Sequence, residues 1–198
     1  FKILRSLNNI KNFKKKDIID IGGNDGISVK TIRKYIASKI ISFEPLKNNY
    51  NKINKLKKKF SPLNTYNYAL SDQTKKFYIY VPYFKNFNLS PYASLQKEDV
   101  LKGLKDTLPV KNINIKKSII KTKKLDEFNL KPSFIKIDIQ GHEYKCIKGS
   151  LKTIKKYKPI IMIEYEKKSI IKINNILKKY GYKKFIYKAK LNSLKKHN

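Results

Sequence analysis

Short apolar runs that alternate with stretches of helical period constrain this chain more than any other feature. Asp17-Ile18-Ile19-Asp20-Ile21 is a compact β-like run that ends in a glycine-rich turn, Gly22-Gly23-Asn24-Asp25-Gly26. Val29, Ile32 and Ile36 then recur at the spacing of one helix face. Residues 40–43 read as a second strand, stopped at Glu44-Pro45. Leu46, Tyr50, Ile53, Leu56 and Phe60 repeat at helical spacing, with Lys47, Lys55, Lys57, Lys58 and Lys59 turned largely to water. A third strand is expected over 63–70. Residues 134–139 show no polar alternation except Lys136 and Asp138, the pattern of a strand covered on both faces. The spacing predicts a helix over 143–157 and, after Pro159, a strand over 160–164. Ile170, Ile173, Ile176 and Leu177 mark another helix closed by Tyr180-Gly181, and a last strand is expected over 182–187. Such alternation implies a doubly wound α/β domain, with a mostly parallel sheet, right-handed crossovers and helices on both faces.

The middle is less regular. Residues 77–81 and 113–121 look like β segments flanking a polar, aromatic-containing insertion over 82–110. The 198 residues are read as one domain with a motif-bearing core over 17–187 and a basic tail over 188–198.

The formal net charge is +33, from 47 basic residues against 14 acids. Only Arg5 and Arg33 are arginine; the 45 lysines, 29 isoleucines and 19 asparagines make up 93 of 198 residues. AT-rich codons supply these three residue types, whereas sites selected for phosphates or bases recruit the bidentate arginine fork. The lysines are also spread along the chain, as on a solvated surface. The charge still favours salt-dependent contact with anionic polymers or membranes. A lone cysteine, Cys146, excludes an internal disulfide framework, and with two histidines it cannot complete a structural zinc site. No apolar run approaches the roughly 20 residues of a membrane span. The chain starts at Phe1 and its only methionine is Met162, so the natural start is expected to be missing or processed.

Ligands of doubly wound sheets bind at the carboxyl ends of strands, near the topological switch point. The first strand here ends in Asp20-Ile21-Gly22-Gly23-Asn24-Asp25-Gly26, where glycines let a ligand sit against bare backbone before a helix N-terminus. Glu44 follows 24 residues after Asp20, at the end of the second strand, placed to accept both hydroxyls of a ribose. The turn departs from the dinucleotide pattern G-x-G-x-x-G. It reads D-x-G-x-N-x-G, with asparagine in place of the middle glycine.

That loop resembles those of S-adenosylmethionine-dependent methyltransferases of the class I, Rossmann-like fold. The resemblance implies that Gly22, Gly23, Asn24 and Gly26 cradle the donor, that Asp20 holds its ammonium group directly or through water, and that Glu44 and Pro45 meet the ribose. It also implies that Ala69 and Ser71, in Ala69-Leu70-Ser71-Asp72, contact the adenine. A narrower resemblance rests on Phe43-Glu44-Pro45, Tyr68-Ala69-Leu70-Ser71-Asp72, Lys124-Leu125-Asp126 and the block from Phe134 to Glu143, followed by Leu151 and residues 159–164. This ordered series, over roughly 17–165, is similar to the FkbM family of methyltransferases, and K-I-D-x-x-G-x-E is its most distinctive piece. The family implies S-adenosylmethionine as donor and a hydroxyl as acceptor (on a glycan sugar or small metabolite); the supply of that donor and the absence of disulfides lead to an expected cytoplasmic location. The position of His142 varies in that family, so the resemblance assigns it no role. The class ends with an antiparallel seventh strand, and since only 11 residues follow Tyr187 that strand is expected to be truncated or absent.

An alcohol is a poor nucleophile until a base or a metal ion helps it lose its proton. Asp138, Glu143 and Glu164 are expected to converge on one rim, as a general base or as a pair holding a divalent cation. Each also has a structural reading: Asp138 anchoring the turn, Glu143 favouring its helix N-terminus, Glu164 paired with Lys136. His142 is a base by its ordinary pKa, or a surface histidine. Cys146 reads as core, and Asp126 as a cap before the fourth strand. Tyr83, Phe84, Phe87, Tyr92 and Leu95 of the insertion are candidates for an acceptor platform. Two other readings stay open: an RNA methyltransferase using its aromatic residues to stack bases, and a degenerate domain that binds polyanions without catalysis.

Overall fold

The computed structural model describes residues 16–105, 112–164, 167–188 and 193–196. The first strands and helices are β1 (Asp17–Ile21), α1 (Ile27–Arg33), β2 (Ile40–Phe43), α2 (Lys47–Lys55), β3 (Leu63–Tyr66) and β4 (Ala69–Leu70). A middle section holds β5 (Lys76–Phe84), β6 (Phe87–Asn88), α3 (Lys97–Lys105) and β7 (Ile113–Lys123). The chain continues with β8 (Pro132–Ile137), α4 (Glu143–Lys148), α5 (Leu151–Tyr157) and β9 (Ile160–Ile163). It closes with α6 (Lys167–Lys179), β10 (Phe185–Lys188) and β11 (Ser193–Lys196).

Among the described residues the central sheet is parallel throughout, in the order β3-β2-β1-β8-β9. The two-residue period of a strand sends neighbours to opposite faces. Ile18, Ile40 and Phe134 therefore pack with Val29, Ile32 and Ile53 of α1 and α2 on one face. Ile19, Ile41 and Ile135 pack with Ile147, Ile154 and Ile173 of α4, α5 and α6 on the other. Both faces are covered, and the doubly wound architecture with helices on each side is as the sequence predicts.

Three elements differ from expectation. The strand expected over 63–70 is two strands, because Asn67 and Tyr68 leave the sheet and β4 pairs with β7 instead of β2. The helix expected over 143–157 is broken at Gly149-Ser150. The segment Ser71-Asp72 crosses so close to Gly149 that a Cβ there would stand 1.9 Å from the Ser71 carbonyl oxygen. Asp126 restarts the helix by accepting from the Lys152 and Thr153 N–H groups at 3.1 and 2.8 Å. The basic tail contributes β11, which pairs antiparallel with β10 in a separate two-stranded sheet. Elsewhere β5 and β7 run antiparallel over nine register pairs, so the strand expected over 77–81 extends further at both ends.

Gly149→Ala is expected to destabilise the domain by about 2 kcal/mol or more, since neither backbone can yield to the new methyl. Urea denaturation checks this, and a loss below about 0.5 kcal/mol would show that the crossing is not fixed.

Candidate functional site

The carboxyl ends of β1, β2 and β8 meet around a cleft of about 210 Å³. Its floor begins at Gly22, whose φ of 82° is open to glycine and whose Cβ would stand 1.9 Å from the Asp138 carbonyl oxygen. The loop after β1 is thus pressed against the loop after β8. Asp20 lies beneath this floor and is fully buried. Its Oδ2 accepts from the hydroxyls of Ser28 (2.7 Å) and Ser42 (3.0 Å), and its Oδ1 lies 3.4 Å from Lys136 Nζ. Asp20 therefore belongs to the wall of the site rather than to its lining. Gly23 packs against Ser42 and Ile53, and Gly26 takes the N-cap of α1, so neither lines the cleft.

Glu44 lines the cleft yet is 5% exposed. Its Oε2 accepts from the Asn24 N–H and its Oε1 from the Leu46 N–H, both at 2.9 Å. Burial pushes its carboxyl up to about 7, against the pull of those two backbone donors. Each oxygen keeps a lone pair for a ligand hydroxyl. Asn24 also lines the cleft, and its Oδ1 accepts from Asn49 Nδ2 (2.7 Å) and from Ser90 Oγ (2.9 Å). That clasp ties the insertion to the glycine-rich loop. Above it Ile79, Ala93, Leu95 and Ile120 form an apolar roof.

The far corner holds the acids. Lys136 is buried among Asp20, Asp138 Oδ2 at 3.3 Å and the Gly22 carbonyl, to which it donates at 3.3 Å. Burial opposes its charge, but the two carboxylates outweigh that and raise its pKa. The ion pair expected between Lys136 and Glu164 is thus taken up by Asp20 and Asp138. Glu164 instead accepts from Gln140 Nε2 at 2.9 Å, and the same amide donates to Asp138 Oδ1 at 3.3 Å. Partial burial and a hydrogen bond shared with Asp138 push Glu164 up to about 7, with repulsion from Asp138 and Glu143 adding to it.

Glu143 does not join this rim. It is buried, and its Oε1 accepts from the Ile139 and Gly141 N–H groups at 3.3 and 3.2 Å, bracing the loop after β8. His142 does line the cleft, hydrogen-bonded through Nε2 to Ser71 Oγ at 2.9 Å. Burial, together with Lys145, lowers its pKa to about 4, so the ring is neutral at neutral pH. Ser71 itself is buried and held between His142 and Asp72, whereas Pro45 and Ala69 line the cleft. Of the insertion residues expected to form a platform, Leu95 reaches the cleft, Tyr83 lines a neighbouring cavity, Phe84 and Tyr92 line neither, and Phe87 is 72% exposed. Cys146 is buried, its thiol pushed up to about 12 by burial, and has no part in the site. Among the described residues no three His, Cys, Asp or Glu side chains gather to hold a metal ion, and no helix is long and apolar enough to cross a membrane.

Lys136, Gln140, Asn49 and Ser90 are the site residues that sequence reasoning missed. Lys136 left a signal, a cation within an otherwise apolar strand. The others act through contacts made only after folding.

Residues 20–184 match the methyltransferase FkbM domain family. No curated protein matches the chain. The crystal structure of an FkbM methyltransferase from Methylobacillus flagellatus KT superposes with a TM-score of 0.59 at 14% identity, covering 92% of this chain and 43% of that one. The chain therefore spans less than half the length of that relative, and the likeness establishes the class I methyltransferase fold. A precorrin-6y C5,15-methyltransferase from Geobacter metallireducens GS-15 is more distant, with a TM-score of 0.45 at 12% identity over 100% of this chain and 81% of that one.

The depressed pKa of His142 has a consequence for stability. Between about pH 4 and 6.5 the native state binds fewer protons at this ring than the unfolded chain, so its contribution is present above 6.5 and lost as pH falls. Relative to His142→Gln, the parent should lose about 2 kcal/mol over that window. Urea denaturation at several pH values reads it, and parallel curves would contradict the buried neutral ring.

Proposed function

The chain belongs to the FkbM methyltransferase family, and from that premise we propose that it transfers a methyl group from S-adenosylmethionine to a hydroxyl on a sugar, a glycan or a small metabolite. The observation that carries the reading is Glu44. It is a buried carboxylate at the end of β2, facing the cleft with one lone pair left on each oxygen. The residues present fit the donor. Gly22 offers backbone where any Cβ would collide, Glu44 suits the two ribose hydroxyls, and Ala69 and Pro45 are apolar walls for a flat ring. Asp138 and Glu164 suit a cationic group.

S-adenosylmethionine supplies a methyl group carried on a cationic sulphur, and an alcohol oxygen that takes it must lose its proton. Asp138 is the residue assigned to that proton. Its carboxylate stands at the mouth of the cleft, held by Lys136 on one oxygen and by Gln140 on the other. Asp20 and Glu143 serve as positioning residues, the first by neutralising Lys136 and the second by bracing the loop that bears Asp138. The donor is made in the cytoplasm, and that is where we place the activity.

A second reading has one observation in its favour. Lys117 lies 3.7 Å from the Tyr78 ring centre and Lys116 4.8 Å from that of Tyr83, an interleaving of cations and rings that suits RNA. Labelled methyl transfer to RNA at moderate salt would favour it over a glycan or metabolite.

Two outcomes test the main reading. By calorimetry the parent binds S-adenosylmethionine saturably. Because ribose hydroxyls donate to ionised Glu44, which titrates near 7, affinity should rise about tenfold from pH 6 to pH 8. Glu44→Gln should bind about tenfold more weakly at pH 8 and lose the part of the pH dependence that Glu44 carries. No binding by the folded parent defeats the donor assignment. Asp138→Asn should leave donor binding within about twofold and cut labelled methyl transfer by about 100-fold or more; unchanged transfer would remove Asp138 from the chemistry.

A further inference from the structure

We propose that Gln140 is a positioning residue whose side-chain amide clamps Asp138 and Glu164 into one acid pair at the mouth of the cleft. Its part in the chemistry rests on the reading of Asp138 as the group that takes the acceptor's proton. One amide nitrogen reaches both carboxylates, at 3.3 Å from Asp138 Oδ1 and 2.9 Å from Glu164 Oε2. The two acids come from neighbouring strands, Asp138 after β8 and Glu164 after β9, and each ladder continues one residue past its strand. The Asp138 N–H donates to the Ile21 carbonyl and the Glu164 N–H to the Ile137 carbonyl. Two carboxylates side by side repel unless they share a proton or a donor lies between them. Gln140 supplies that donor.

The backbone of Gln140 is shaped for this task. Its φ is 51°, a left-handed conformation that disfavours a side chain with a Cβ, and it persists only where the surroundings impose it. Those surroundings are identifiable. Glu143 accepts from the N–H groups on either side, at Ile139 and Gly141, and the Gln140 carbonyl accepts from Ser94 Oγ at 3.4 Å. The loop thus holds an unfavourable backbone at the one residue whose amide spans the two acids. Ser94 belongs to the insertion, hydrogen-bonded to Tyr80 in both directions, so the clamp is also tied to the roof.

Clamping two carboxylates together fixes where one proton resides. With Glu164 holding it, Asp138 is the ionised partner and keeps its second oxygen on Lys136. Proton transfer from an alcohol then breaks one O–H bond and forms another on Asp138. The charged groups facing Glu164 are Asp138 and Glu143, which oppose its ionisation, and Lys136, which favours it.

The experiment is a pH titration of the intact protein with ¹³C-labelled aspartate and glutamate carboxyls, with Glu164 assigned by its loss in Glu164→Gln. In the parent, Glu164 should titrate near 7. Gln140→Met keeps the volume but removes the donor; with the repulsion between the carboxylates no longer offset, its Glu164 titration should rise by about one pH unit. Gln140→Glu places a third carboxylate there and should move the titration upwards. Thermal midpoints within a few degrees of the parent show that the variants are folded, since Gln140 is exposed. A parent Glu164 that titrates in the ordinary carboxylate range overturns the clamp, and so does an unchanged or lowered titration in Gln140→Met. Calorimetry with S-adenosylmethionine on the same samples separates this from the methyl-transfer reading. A parent that shows the expected titrations without donor binding keeps the clamp and loses the proposed function.

Discussion

One buried ammonium joins the two halves of this site. Lys136 is 6% exposed, and stripping water from such a group costs several kcal/mol unless opposite charges and acceptors replace it. Asp20, Asp138 and the Gly22 carbonyl are those replacements, one on each of three sides. The glycine-rich loop after β1 and the acid loop after β8 cannot move independently while they share this cation. They also touch directly, since no side chain fits between Gly22 and the Asp138 carbonyl. Catalysis of a transfer between two bound molecules depends on the fixed separation of the groups that hold them. Here the spacing of the two loops is held by Lys136 and Gly22.

The roof depends on the same floor. Its apolar patch of Ile79, Val81, Ala93 and Ile120 is small, and polar contacts connect it to the sheet. Asn49 and Ser90 meet on the Asn24 side chain, while Ser94 reaches the Gln140 carbonyl. Both anchors are residues of the loops that Lys136 organises. Covering those loops keeps water from the carboxyl groups between them. Burial pushes Glu44 up to about 7, whereas Glu164, exposed at the rim, is pushed there by partial burial and by its neighbours Asp138 and Glu143.

The central sheet was legible because each strand carries its own period and each helix its own stripe. Ile18 and Ile19, or Ile40 and Ile41, are adjacent apolar residues that only a sheet covered on both faces can bury. The break at Gly149 was not legible, since its cause is Ser71, 78 positions earlier in sequence. The site divides along similar lines. Gly22, Asn24, Glu44 and Asp138 stand at strand ends, where a short motif is enough to place them. Glu143 has the right position but the wrong direction, because its carboxyl finds two backbone N–H groups in its own loop before it reaches the cleft. Asp20 is similarly consumed by Ser28, Ser42 and Lys136. Spacing along a chain tells which residues arrive at a strand end; it does not tell which of them find partners below the surface.

The overall charge works against the binding of a cation at this cleft. With a net charge of +33 the long-range field repels positive ligands and draws in neutral or anionic ones. Binding of any cationic ligand must therefore come from groups close by, and four of the chain's 14 acids, Asp20, Glu44, Asp138 and Glu164, gather at this end of the sheet. A bare cluster of four carboxylates under an apolar roof would be costly. Lys136 removes most of that cost at Asp20 and Asp138, and protons held near neutral pH remove it at Glu44 and Glu164. Near neutral pH this end of the sheet therefore carries a small net negative charge, well below that of four bare carboxylates. A positive group entering the cleft favours release of the protons that Glu44 and Glu164 still hold, so its arrival adds counter-charge where the cation sits.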